Sequence, residues 1–158
     1  MTGPPRGVPW YEFENAARDL AQAGRRLLQD DTGAPGVAFL GTVARDGHPR
    51  MHPFIPAIVN QRLWAFVIHS PKQRDLDRTG MYAVHSRLGD NDESFFAAGT
   101  AMRADDDQTR STVGASMPYT DIDERHVLYE FNIERVLWTT WSTPTSPNYQ
   151  SWRCQPTS

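Results

Sequence analysis

From Glu12 to Gln29 the apolar residues Phe13, Ala16, Ala17, Leu20, Ala23 and Leu27 recur at intervals of three and four, with polar residues between them. That period predicts one amphipathic helix packed by a single face. Asp30-Asp31-Thr32-Gly33-Ala34-Pro35-Gly36 ends it with turn formers, and the pattern then changes to strand type. Val37 to Ala44 is a short apolar run, and from Met51 to Val59 apolar and other side chains alternate. The Asp46-Gly47 pair between these two runs predicts a hairpin. Asn60-Gln61 is a second tight turn, leading into Leu63-Trp64-Ala65-Phe66-Val67-Ile68, whose continuous apolar character suits a strand covered on both faces.

Three further strands are expected at Met81 to Ser86, Phe95 to Ala104 and Val127 to Val136. In the last, Tyr129, Phe131 and Ile133 alternate with Glu130, Asn132 and Glu134, which gives one dry and one wet face. Asp105-Asp106-Asp107 supplies an acidic start for a short helix through Val113, toward Met117, since carboxylates cap free amides and favour the helix dipole. Six antiparallel strands with few helices point to a mainly β, α+β domain closed into a barrel, because a flat sheet would leave two edges exposed. The domain covers residues 12–141, residues 1–11 form a flexible leader, and residues 142–158 an aromatic tail that opens with a Ser/Thr/Pro-rich loop.

Composition narrows the function. Of the 158 residues 39% are hydrophobic and the formal net charge is -3, so the chain is globular and carries no global cationic field for nucleic acid or anionic lipid. No apolar run reaches the length that spans a bilayer, and the first residues lack the pattern of a signal peptide. A cytoplasmic location is expected. The single cysteine, Cys154, excludes an intrachain disulfide and a thiolate zinc site. The five histidines show no metal-clamp spacing, so no metal is expected. A serine-hydrolase elbow and Gly-rich nucleotide loops are also absent from the sequence.

The chemistry that remains is local and anion-directed. His69-Ser70-Pro71-Lys72-Gln73-Arg74-Asp75-Leu76 follows the apolar third strand. Ser70 reads as an N-cap and Pro71 as the first helical residue, while Lys72 and Arg74 place cations where the helix dipole favours anions. A phosphate suits such a start, as does a capped surface turn with solvated bases. In His48-Pro49-Arg50-Met51-His52-Pro53, Arg50 and His52 share a strand face by the period of two. Arg50 can grip a phosphate bidentately or stand solvated at the hairpin rim, and a neutral His52 can donate to an oxygen, although a satisfied, partly buried histidine is the favoured reading. Trp138, Trp141, Tyr149 and Trp152 crowd a tail too short to bury them within itself, so they either cover the barrel's own end or meet a planar ligand or a second subunit, the interface being the favoured reading.

Taken in order, Val37-Ala-Phe-Leu-Gly-Thr-Val, Asp46-Gly47-His-Pro-Arg-Met-His-Pro, Leu63-Trp-Ala-Phe-Val and Ser70-Pro-Lys-Gln-Arg-Asp-Leu resemble the pyridoxamine 5'-phosphate oxidase-like superfamily, with its FMN-binding split β-barrel. The resemblance spans roughly residues 12 to 141. It implies Arg50, Met51 and His52 along a flavin, Ala65 and Phe66 on the neighbouring strand, and Ser70 and Lys72 at the phosphate. It further implies a homodimer with cofactor sites at the interface, where Trp138 and Trp141 would lie. FMN is the implied cofactor, with deazaflavin and haem used by related split barrels. The vitamin-making oxidases carry an Arg-Lys pair where Pro71-Lys72 stands, and their C-terminal Arg-x-His element has no counterpart here. The resemblance therefore implies a flavin-dependent oxidoreductase acting on another small molecule, or a non-catalytic flavin, deazaflavin or haem binder.

Overall fold

The computed structural model describes residues 7–104 and 106–156. Helices α1 (Trp10–Ala16) and α2 (Arg18–Leu27) precede strands β1 (Ala38–Val43), β2 (Pro49–Phe54), β3 (Ala57–Val59) and β4 (Arg62–Ile68). Helix α3 (Pro71–Thr79), strands β5 (Met81–His85) and β6 (Ser94–Arg103), helix α4 (Asp107–Ser116) and strands β7 (His126–Thr143) and β8 (Ser146–Arg153) follow. The strands form one antiparallel sheet in the order β2-β1-β5-β6-β7-β4-β3, with β8 also on β7.

The two end strands, β2 and β3, are consecutive in the chain and joined by Ile55-Pro56 alone. The sheet must therefore curl until its ends meet, yet the junction is a chain bend and not a hydrogen-bonded ladder. The expected closed barrel is corrected to an open, curled sheet, and the expected six strands to eight. One added strand arises because the run from Met51 to Val59 is broken at Pro56, which lacks the N–H a continuous strand would donate. The other is β8, where the sequence suggested loop and tail. Its side chains are exposed except at Pro147 and Trp152, so no alternation marks it, and it is held by its ladder to residues 135–143 of β7.

The single predicted helix is two, broken at Ala17, whose φ of -145° and ψ of 68° are non-helical. The break lets both segments turn apolar faces onto one core. Trp10 and Phe13 pack edge to face at 5.0 Å, and Phe95 lies 6.0 Å from Trp10. Gly24 admits this cluster, since a Cβ there would lie 2.7 Å from the Phe95 ring. The expected leader is also corrected for its described part. Val8 exchanges backbone hydrogen bonds with Ile133 at 2.9 and 2.7 Å, and Trp10 is fully buried; residues 1–6 lie outside the described residues.

Strand β4 fulfils its reading as a strand covered on both faces. Leu63, Ala65 and Val67 enter the main core inside the curled sheet, whereas Trp64 and Phe66 enter a second cluster with Val113 and Met117 of the α4 region. The acidic helix start holds as well: the Asp106 carboxylate accepts from the Gln108 and Thr109 amides, while Asp105 lies outside the described residues. Among the described residues no helix is long and apolar enough to cross a membrane.

Candidate functional site

The hairpin at Asp46-Gly47 sets the register of β1 and β2, in which Leu40 faces His52, Thr42 faces Arg50 and Gly41 faces Met51. Directly opposed residues share a face, so Arg50 and His52 lie on the face of the buried Leu40 and Thr42, as the period of two requires. Met51 projects to the outer face and is 69% exposed.

Helix α3 approaches this face from the end of β4. Strand β3 pairs only with residues 62–64 of β4, so Ala65 to Ile68 have a strand neighbour on one side alone, β7. The opening is bridged by the start of α3: Gln73 donates through Nε2 to the Val67 carbonyl at 3.2 Å and the Ser70 hydroxyl to the Ile68 carbonyl at 2.7 Å. Ser70 thus does not cap the helix with its side chain, contrary to the sequence reading. Its backbone is extended, with φ of -172°, which swings the hydroxyl back to β4.

At the centre lies Asp75, 2% exposed, a residue that sequence reasoning carried only as part of a motif. Its Oδ2 accepts from Arg50 Nε and Thr42 Oγ1, both at 2.9 Å, and its Oδ1 from Arg78 Nη2 at 3.3 Å. Burial alone would raise this carboxyl, but the hydrogen bonds from Arg50 and Thr42, the Arg50 charge and the Arg78 contact hold it below the ordinary range. An ionised Asp75 pins Arg50 through Nε and leaves both its Nη groups unused by any hydrogen bond among the described residues. The sequence signal for Asp75 was its place on one helix between Lys72 and Arg78; nothing in the sequence pointed to Thr42.

His52 and Lys72 complete the cluster. Lys72 is half-buried and has no ion-pair partner among the described residues. Burial first, then the Lys72 and Arg50 charges, push the His52 imidazole below its ordinary pKa, so the ring is neutral at neutral pH and lies within electrostatic reach of both cations. Its buried Nε2 has no hydrogen-bond partner. Such a nitrogen, the unpaired Lys72 and the unused Nη groups of Arg50 form a polar set complementary to a phosphate-bearing or carbonyl-bearing molecule.

The remaining expected site residues do not join this cluster through their side chains. Ala65 is buried in the main core, and Phe66 in the second cluster beneath the Arg110 guanidinium, 5.3 Å away. Trp138 donates to Glu93 at 2.8 Å and packs on the main core, while Trp141 pairs with Pro147 of β8. Both lie at the far end of β7 from His126, which adjoins Ile68; at about 3.3 Å per residue, Trp138 is roughly 40 Å along the strand from that end.

No protein-family model matches the sequence, and no curated relative does. Solved structures match the fold. A haem-binding protein from Mycobacterium smegmatis superposes with a TM-score of 0.65 and 14% identity over 85% of this chain and 57% of its own, so this chain spans less than two thirds of that protein. PhzG from Burkholderia lata 383, in complex with tetrahydrophenazine-1-carboxylic acid, matches with a TM-score of 0.62 and 13% identity over 94% of both chains. A general stress protein 26-related member of the pyridoxinephosphate oxidase family from Clostridium acetobutylicum gives 0.59 and 10% over 90% and 95%. The shared fold is the split barrel. Within this split barrel, the split is the opening between β2 and β4 that α3 bridges, and Arg50, His52 and Lys72 gather beside it.

Proposed function

We propose that this split barrel binds a flavin, most simply FMN, at the junction of β2 and α3, and acts as a flavin-dependent oxidoreductase on a small molecule. The observation that carries the reading is the convergence of an unpaired Lys72, an Arg50 pinned by Asp75 with its Nη groups free, and an orphaned His52 Nε2. These groups fit a phosphate ester with a polar ring system attached. Lys72 and Arg50 would hold the phosphate, and His52 would satisfy its ring nitrogen on the cofactor. When bound, the isoalloxazine supplies the hydride or electron transfer. The chain's part is to bind, orient and exclude water. Asp75 keeps Arg50 in one rotamer, and the neutral state of His52 prevents it from competing for the phosphate as a third fixed charge.

The vitamin-making oxidation is not the proposed activity. A second phosphate needs its own charge-assisted contacts, and beyond Arg135 the tail offers Arg153, its direct β-ladder partner. A second copy is proposed to seat on the outer sheet face, where Pro53, Phe39, His85, Phe96 and Leu137 form one cross-strand row and Met51 stands exposed beside it. Trp141 lies on that same outer face by its alternation with Leu137 and Thr139.

An absorption spectrum of the purified protein, before and after addition of FMN, tests the reading. Flavin bands that shift on binding, and that need about tenfold more FMN to shift in Lys72→Ala, support it. A Soret band with no flavin uptake overturns it in favour of haem binding, which the unpaired His52 Nε2 would serve as an iron ligand.

A further inference from the structure

We propose that the cleft along the free edge of β3 binds a small neutral ligand that carries a planar carboxamide or lactam. The cleft shares no lining residue with the Arg50, His52 and Lys72 cluster, so the inference stands apart from the flavin reading.

The hairpin between β3 and β4 fixes where that edge points. Asn60 and Gln61 both have positive φ, 50° and 63°, and form a two-residue turn, so Val59 and Arg62 beside it exchange both backbone hydrogen bonds. Bonded and non-bonded pairs alternate along an antiparallel ladder. Ala57 is therefore bonded to Trp64, whereas the N–H and C=O of Ile58, opposite Leu63, turn away from β4. Strand β3 ends the sheet, and neither group of Ile58 has a backbone partner among the described residues. One donor and one acceptor thus stand side by side on an open edge.

A cavity of about 320 Å³ lies along this edge. Pro56, Ala57, Ile58 and Val59 all line it, although Ile58 packs on the main core and Ala57 and Val59 on the second cluster. A space that touches consecutive residues of both faces runs along the strand edge, which is where the Ile58 pair points. The opposite wall is Leu28 and the loop through Ala34 and Pro35. That loop is preformed. The Asp30 carboxylate accepts from the Thr32 amide at 2.8 Å, the Thr32 hydroxyl at 2.6 Å and the Ala34 amide at 3.1 Å, and the Gly36 amide donates to the Leu28 carbonyl at 3.0 Å.

Charge and size select the ligand. Arg25 is the one charged residue of the described lining, and Glu14 accepts from its Nε and Nη2 at 2.9 and 2.7 Å, so the cleft has no net charge to draw in an anion. The volume lies at the lower end of small-molecule sites. A single donor and acceptor pair is too little for an added peptide strand, whose hold comes from a row of them. A carboxamide fits: its carbonyl oxygen accepts from the Ile58 N–H, its own N–H on the same edge donates to the Ile58 C=O, and an attached ring packs between Leu28, Pro35 and the apolar side chains of β3.

The test is an amide-resolved NMR titration of the full chain with benzamide, with acetophenone, which keeps the shape and the carbonyl but lacks the N–H donors, and with benzoate, which adds a charge. Benzamide should bind wild type with a dissociation constant of about 1 mM or below and shift the Ile58 amide resonance. Acetophenone and benzoate should bind at least about threefold more weakly, the worth of one neutral hydrogen bond. Two variants isolate the donor. Ile58→Pro removes the outward N–H without removing a ladder bond, and Ile58→Ala keeps the N–H while losing the side chain. Benzamide should bind the Pro variant at least about threefold more weakly than the Ala variant. An Ile58 amide that benzamide leaves unmoved, a smaller difference between benzamide and either control probe, or a smaller difference between the two variants overturns the proposal. Displacement of benzamide by FMN also overturns it, because the cleft would then belong to the flavin site. Should Ile58→Pro fail to fold, the three probes on wild type decide alone.

Discussion

The Asp75→Asn substitution removes one buried charge while keeping the volume and a carbonyl acceptor, so it isolates the electrostatic role of the network beneath the cleft. In the native protein the carboxylate accepts from Arg50 and Thr42 at 2.9 Å and from Arg78 at 3.3 Å. Breaking a fully buried ion pair costs about 3–5 kcal/mol. Here the Arg50 and Arg78 side chains are 38% and 30% exposed, so water accepts part of what the carboxylate releases. With one acceptor retained by Asn, the expected loss is about 2–3 kcal/mol, or roughly 5–10 °C in Tm for a chain of this size. The pH dependence follows from the sign of the shift. Asp75 titrates lower in the fold than in the unfolded chain, so its contribution is fully present above the unfolded value near 3.9 and is lost as pH falls through the folded one. Thermal unfolding followed by circular dichroism should show a constant gap between the two proteins from pH 5 to 8 that narrows below about pH 4. Equal Tm values at pH 7, or a gap that widens in acid, would refute the reasoning.

Lys72→Ala should weaken FMN binding by about tenfold, and Arg74→Ala by less than threefold, in fluorescence-quench titrations; equal effects would move the first phosphate away from Lys72. His52 should titrate below its ordinary 6.5 by NMR, and inorganic phosphate should raise it by offsetting the Lys72 charge. Because the unfolded chain takes up that proton first, the stability linked to His52 declines as pH falls below about 6.5 and levels off under the folded pKa; a His52 pKa above 6.5 without phosphate contradicts this. At the β-bulge, a Cβ on Gly99 would lie 2.0 Å from the Asn132 carbonyl oxygen, so Gly99→Ala should cost about 2–3 kcal/mol, and an unchanged calorimetric Tm would count against it. Light scattering at micromolar concentration should give twice the 17.9 kDa chain mass, with Phe39→Asp shifting the protein to monomer; a single-chain mass for the cofactor-loaded wild type rules the dimer out.

Where burial enforced a period, the sequence was readable. The run from Leu63 to Ile68 announced β4 because both its faces are covered, and Asp46-Gly47 announced the hairpin that puts Arg50 and His52 on one face. Strand β8 was not readable, since a strand exposed at most positions has no reason to alternate. The break at Ala17 left no mark either, because the helices on both sides keep the same apolar spacing and no proline or glycine stands there. In the site, the cations were visible as residue types, whereas Asp75 acquires its role only through the fold, which brings Thr42 from 33 positions away to the same carboxylate. Ser70 misled for a related reason: the sequence shows a capping residue, and the backbone on either side decides where its hydroxyl turns.

Strand β7 pairs with β6 along one edge and with β4 and β8 along the other, and it also receives Val8. Without it the strands fall into two unconnected groups, β2-β1-β5-β6 and β4-β3, and β8 is left unpaired. Since β7 begins at His126, a ribosome must deliver all six strands of these groups before the two can be joined. The nascent protein therefore emerges as two sheet fragments with open edges, which invite wrong pairing until the last strands arrive. Late, long-range joining of this kind makes for slow folding, and a nascent chain arrested before residue 126 should be far more dependent on chaperones than one arrested after residue 153.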